Sequence, residues 1–149
     1  MSIVTTIYNA YHTELASLLP SYSRIPNPKR LDDAPRMVLN KGYALIPTVG
    51  ERSDREVCKF WYKRSYDIVL INQITATVSN ETYLDELINA IHEDCHTVLY
   101  GLEASSILNN SSNIFITRAV SDSGVDIVED GEFERYLQIS LQAETEYFV

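Results

Sequence analysis

His92, Glu93 and His96 stand in the order H-E-x-x-H inside a stretch with helical periodicity. That spacing sets two imidazoles one turn apart on a helix, where they can bind zinc while the glutamate activates a bound water. Such chemistry would make the chain a zinc-dependent hydrolase. Three features of the sequence weigh against it. Advancing about 100° per residue from Ile91, the apolar residues of the stretch centre at roughly 20°, while His92 falls at roughly 100° and His96 at roughly 140°, towards the polar side. Asp94 puts a charge inside the motif. Beyond His96, Leu99 and Leu102 occupy the places of the extended zinc motif H-x-x-G-x-x-H, so no third ligand stands at a recognised spacing. The expectation is therefore no metal site and no catalytic residue, with the zinc hydrolase kept as the alternative from a different class.

Other constellations are weaker. His12 stands alone on the first helical stretch and reads as a boundary residue. Ser121-Asp122-Ser123-Gly124 is a turn signal with no histidine placed to activate a serine. The five glycines, Gly42, Gly50, Gly101, Gly124 and Gly131, are scattered singly and form no phosphate-cradling loop. The run Lys59-Phe60-Trp61-Tyr62-Lys63-Arg64 mixes cations and aromatics as single-strand nucleic-acid binders do. Strand alternation would split it between two faces, which favours strand packing and a protein interface.

The elements that would carry these residues follow from periodicity. Residues 3–19 space Ile3, Ile7, Ala10, Tyr11, Leu15, Leu18 and Leu19 as one amphipathic helix, with Thr5 or Thr6 near its start and Pro20 ending it. Pro26, Pro28 and Pro35 then predict an extended connection. Met37–Pro47 reads as a strand with a bulge at Lys41–Gly42, followed by a polar loop, GERSDRE. Residues 57–78, rich in β-branched and aromatic types, read as a long strand or a bent pair, giving a hairpin longer than the body of such a domain needs. Residues 81–103 form the clearest helix, with an acidic first turn and the apolar set Leu84, Leu87, Ile88, Ile91, Cys95, Val98, Leu99 and Leu102 on one face. Strands follow at 114–120, at Val125–Val128 and, after a turn around Glu129–Gly131, at the C-terminal end. There Leu137, Ile139, Leu141 and Ala143 alternate with Gln138, Ser140, Gln142 and Glu144. The expected fold is α+β: one mostly antiparallel sheet, two helices packed on one face and a long projecting hairpin.

A chain of 149 residues is sized for one domain, expected over 1–149. Its longest apolar run, Ile68–Ile71, is far short of a membrane span, and Met1–Ala10 has no secretory-signal character. Cys58 and Cys95 suit free core thiols in a reducing compartment. The net charge of −9 argues against a grip on nucleic acid. Residues 1–64 hold ten of the twelve Lys and Arg and sum to +4, whereas residues 65–149 sum to −13. One copy could therefore set a basic surface on the acidic surface of the next, a heterologous contact that closes into a ring if its rotation closes. The basic side of that self-assembly interface is expected at Arg52, Arg55, Lys59, Trp61, Lys63 and Arg64. Its acidic side is expected at Glu129, Asp130, Glu132 and Glu134. Ten tyrosines among fifteen aromatics add a contact-forming bias.

The layout as a whole resembles the tail terminator and tail-completion proteins of tailed bacteriophages. The likeness spans the N-terminal helix, the Pro-rich connection, LNKGYALIP, KFWYKRSYDIVLI, the helix ETYLDELINAIHEDCHTVLYGL and the closing LQISLQAETEYF. It implies a virion structural protein, assembled in the host cytoplasm, that forms a ring, commonly hexameric, at the head-proximal end of the tail tube. There it would stop tube growth and meet a neck or connector protein, with DNA only passing through the lumen. A head-proximal neck or adaptor protein is the near alternative.

Overall fold

The first helix, α1 (Ile3–Leu18), begins at Ser2, whose hydroxyl accepts from the Thr5 N–H at 3.2 Å. The cap thus lies one turn before the threonines expected there, and Thr6 Oγ1 donates to the Ser2 carbonyl behind it. Ile7, Tyr11 and Leu15, one turn apart, are fully buried. The second helix, α2 (Glu81–Ala104), buries Ile91, Cys95, Val98 and Leu102. Its last turn is closed by the Asn109 amide, which donates to the carbonyls of Leu102, Glu103 and Ser105 at 3.0–3.1 Å. The opposite end of the same side chain accepts from Thr117 N–H at 2.9 Å, tying the helix end to the sheet. In this computed structural model the residues described are 2–26, 41–53, 60–74, 81–109, 115–130 and 134–148.

Six strands make one mostly antiparallel sheet: β1 (Ser23–Arg24), β2 (Lys41–Ser53), β3 (Trp61–Gln73), β4 (Phe115–Asp122), β5 (Asp126–Asp130) and β6 (Glu134–Phe148). The order is β1-β2-β3-β6-β4, with β5 also on β6 and only β1 parallel to its neighbour. The last strand in sequence is therefore central. It pairs with β3 from Gln73↔Tyr136 to Trp61↔Phe148, and its other side is shared by β5 and β4. With both helices against one face of the sheet, the molecule is α+β.

Tyr66, Ile68 and Leu70 of β3 and Leu137, Ile139, Leu141 and Ala143 of β6 form the helix-facing core, as the alternation of β6 requires. A line of hydroxyls runs through that core. Thr117 Oγ1 donates to the Leu108 carbonyl at 2.8 Å, so the Thr145 hydroxyl must donate to Thr117 at 2.8 Å and the Tyr11 hydroxyl to Thr145 at 2.7 Å. On the other face Ile25, Ala44, Ile71 and Tyr136 form a second, small buried cluster.

The hairpin differs from expectation in two places. Lys41 and Gly42 pair regularly with Asn72 and Ile71, and the bulge lies between Pro47 and Gly50. Pro47 has no N–H to give the ladder, so the ladder breaks behind it. Thr48 Oγ1 then donates to the Ser65 carbonyl at 3.1 Å, and the Arg64 guanidinium donates to the Thr48 carbonyl at 2.8 Å. Gly50–Ser53, expected in a loop, continues β2. A Cβ at Gly50 would meet the Tyr62 ring at 2.5 Å, so a larger residue there would displace the Tyr62 and Arg64 side chains. The hairpin has 13 residues in each strand, and β6 accompanies β3 to its outermost rung. Residues 37–40 of the expected first strand, 57–59 and 75–78 of the second, and Gly131 of the expected turn lie outside the described residues, while Glu129 and Asp130, expected in that turn, end β5 because they pair with Arg135 and Glu134.

Candidate assembly surface

The histidine motif lies on α2 as the wheel predicts: His92 is half-buried, and Glu93 and His96 are exposed. Among the described residues no group of three His, Cys, Asp or Glu side chains is placed to hold a metal ion. Asp94 has a structural partner, since the Tyr22 hydroxyl donates to its carboxylate at 2.6 Å and accepts from Asn72 Nδ2 at 2.9 Å. Burial raises the Tyr22 pKa, and the hydrogen bond to Asp94 adds to the rise. This chain joins the segment after α1, the sheet and α2.

The basic–aromatic run divides between faces. Trp61 and Lys63 share the face away from the helices, where Trp61 is buried against Phe148 at 5.9 Å between ring centroids. Lys63 is held by Glu51 at 3.0 Å and Glu144 at 3.3 Å, and its pKa is raised by the hydrogen bonds to Glu51 and then Glu144. On the other face the Arg52 guanidinium lies over the Phe60 ring at 5.2 Å, Phe60 stacks on Tyr62 at 6.2 Å, and Arg64 lies over Tyr62 at 5.5 Å. Of the expected basic set, Lys63 and Arg64 are thus engaged within their own chain, and Arg52 is exposed. Arg55 and Lys59 lie outside the described residues.

The expected acidic set sits at the far end of the strands. The backbone places Glu129 opposite Arg135 and Asp130 opposite Glu134, while Glu132 lies outside the described residues. The rungs Trp61↔Phe148 and Gln73↔Tyr136 are separated by 12 residues along β3, which at about 3.4 Å each sets the two ends about 40 Å apart. Helix α2 reinforces the division. Asp94 reaches Asn72 through Tyr22 near the acidic end, whereas Glu103 Oε1 accepts from Ala119 N–H nearer the hairpin end. The helix therefore runs antiparallel to β3 and carries exposed Asp85 and Glu86 towards the acidic end.

Beside the small apolar cluster, the face away from the helices also carries polar ground. A groove of about 400 Å³ is lined by Lys63, Arg118, Glu144 and Glu146 with Ile116 and Val120. Near the other edge of the sheet, Arg24 donates to the Tyr8 hydroxyl at 3.3 Å and lies over its ring at 5.9 Å. His12 packs against Tyr8 in a T-shaped pair at 4.6 Å, and neither ring nitrogen finds a hydrogen-bond partner among the described residues. Burial, with a smaller contribution from Arg24, lowers its pKa to about 4.

Sequence reasoning missed Arg24 and the Tyr22–Asn72–Asp94 chain, because both depend on which strand lies beside which. Thr145 was open to inference, since it occupies the buried parity of β6. No helix among the described residues is long and apolar enough to cross a membrane. No protein-family model matches the chain. No curated protein matches it either.

Proposed function

We propose that the chain is a virion structural protein of the tail-terminator kind, a ring at the head-proximal end of a phage tail tube that stops tube growth and joins tail to neck. The observation that supports this reading is the layout of the sheet: its strand ends lie about 40 Å apart, Glu129, Asp130 and Glu134 fall at one of them, and among the described residues no strand pairs outside β1 or outside β4 and β5. In a ring whose axis follows the strands, the hairpin end and the acidic end meet different neighbours, tail tube protein on one side and neck or connector protein on the other. The lateral edges meet sister copies. An acidic balance suits a conduit through which DNA passes without being held.

Light scattering on the purified protein tests the reading. The expected mass is a closed multiple of the 17.0 kDa chain, about 100 kDa for a hexamer, falling as salt is raised if charge helps to join the copies. A monomer mass at low salt and high protein concentration refutes it.

A further inference from the structure

The histidine pair of α2 has no part in the assembly reading, and the structure removes one of the features that weigh against a metal ion there. Advancing about 100° per residue from Ile91 puts His92 at about 100°, Glu103 at about 120° and His96 at about 140°, all on one flank of the helix. Asp94 and Gly101 fall on the other flank, at about −60° and about −80°. The contacts agree with this division. Gly101 lies against Leu18 of α1 and the Asp94 carboxylate accepts from the Tyr22 hydroxyl, whereas Glu103 accepts from Ala119 of β4. The charge inside the motif is therefore turned away from both imidazoles and held by its own hydrogen bond.

The imidazoles themselves are uncommitted. Among the described residues neither His92 nor His96 has a hydrogen bond, an ion pair or a ring contact, in contrast to His12, which packs against Tyr8. Each neutral ring thus keeps a nitrogen lone pair that no donor occupies. Residues four apart on a helix stand one above the other with about 5–6 Å between Cβ atoms, a span that two imidazoles can close on one ion at about 2.0–2.1 Å from each nitrogen. His92 is half-buried and His96 exposed, and Leu99, packed on the core, lies beside them on the inner side. A cation reaches the pair from solvent and is shielded on that inner side. Glu93 falls at about 200°, beyond both rings on the exposed side.

We infer that His92 and His96 form a two-histidine clip on the flank of α2 for a divalent transition metal ion of the imidazole-preferring kind, such as zinc, copper or nickel. Magnesium and calcium take oxygen ligands and do not suit it. With no third side chain placed among the described residues, the remaining coordination positions go to water, and the ion has neither the closed cage of a structural site nor the three protein ligands of a catalytic one. The clip is a staple across one turn of the helix and not a hydrolytic centre. Because the two rings lie together only while that turn is helical, the ion binds the folded chain better than the unfolded one and stabilises it by mass action. The inference stands apart from the ring reading.

Zinc chloride is the probe, in a buffer free of chelators, with wild type, His92→Gln, His96→Gln and Glu93→Gln compared by calorimetric titration and by thermal melting. Near-ultraviolet circular dichroism checks that each variant is folded. Wild type and Glu93→Gln are expected to bind zinc stoichiometrically and to melt at a higher temperature as zinc is added. Each histidine variant is expected to bind about tenfold or more weakly and to lose the shift. Magnesium chloride should leave the melting of all four proteins unchanged. Copper in place of zinc adds a spectroscopic readout: electron paramagnetic resonance should show coupling to two imidazole nitrogens in wild type and to one in either histidine variant. No binding by wild type at millimolar zinc overturns the inference. So does equal binding by wild type and either histidine variant, which places the ion elsewhere. Loss of binding in Glu93→Gln would make the glutamate a ligand and overturn the two-histidine assignment.

Discussion

Acid should weaken this fold through His12. Its folded pKa of about 4 lies below the ordinary 6.5, so between those values the unfolded chain binds a proton that the native chain refuses. Stability therefore falls as pH drops through that window. The penalty is absent above about pH 7 and complete below about pH 4. A lowering of about 2.5 units corresponds to about 3.4 kcal/mol at 1.36 kcal/mol per unit, and partial exposure of the side chain to solvent reduces this to about 1–2 kcal/mol. Among the described residues the groups around the ring offer no relief, because Tyr8 packs against it in a T-shaped pair, Tyr43 lies 6.2 Å away and Arg24 carries like charge. Urea unfolding of wild type and His12→Phe at pH 7.5 and pH 4.5 isolates the effect. Carboxylates titrate alike in both proteins and cancel in the double difference. The variant should lose about 1–2 kcal/mol less than wild type on acidification. Equal losses in the two proteins would refute the assignment.

The other predictions concern packing. Thr145→Val removes the middle of the hydroxyl chain and leaves both Tyr11 and Thr117 short of a partner, so it should cost about 2–3 kcal/mol in chemical denaturation. Tyr11→Phe removes only the end donor and should cost about 1 kcal/mol. A larger loss from Tyr11→Phe than from Thr145→Val would contradict the donor order. At Gly101 a Cβ would run into the Leu18 side chain, where α1 packs on α2. Gly101→Ala should therefore lower stability by about 1 kcal/mol despite the gain in helix propensity, and a higher melting temperature would show that Leu18 moves aside freely.

The parts of the fold that obey a local rule were legible from the residues. The α2 stripe and the alternation of β6 follow from burial of one face, and each repeats often enough to fix its period. The hairpin was read less well. Gly42 drew the expected bulge, yet the ladder fails where Pro47 lacks a donor. Gly50–Ser53 reads as a loop because strand pattern signals one buried face, and Glu51 and Arg52 are exposed. The charge imbalance is visible as a sum over halves of the chain, but where each charge falls needed the register, which sets Lys41 beside Asn72 and Glu146 beside Lys63. Arg24 gave no local sign at all, since its contact with Tyr8 depends on β1 lying beside α1.

The place of β6 also sets the order in which the molecule can be completed. It is the last of the six strands to leave the ribosome, yet it forms both the β3 and the β4–β5 pairings. Until it is made, β3 lacks one neighbour and β4 and β5 lack theirs, and these long-range pairings fix the folding rate. A chain cut short before β6 would therefore leave β3 and the β4–β5 pair without the strand that unites them in one sheet.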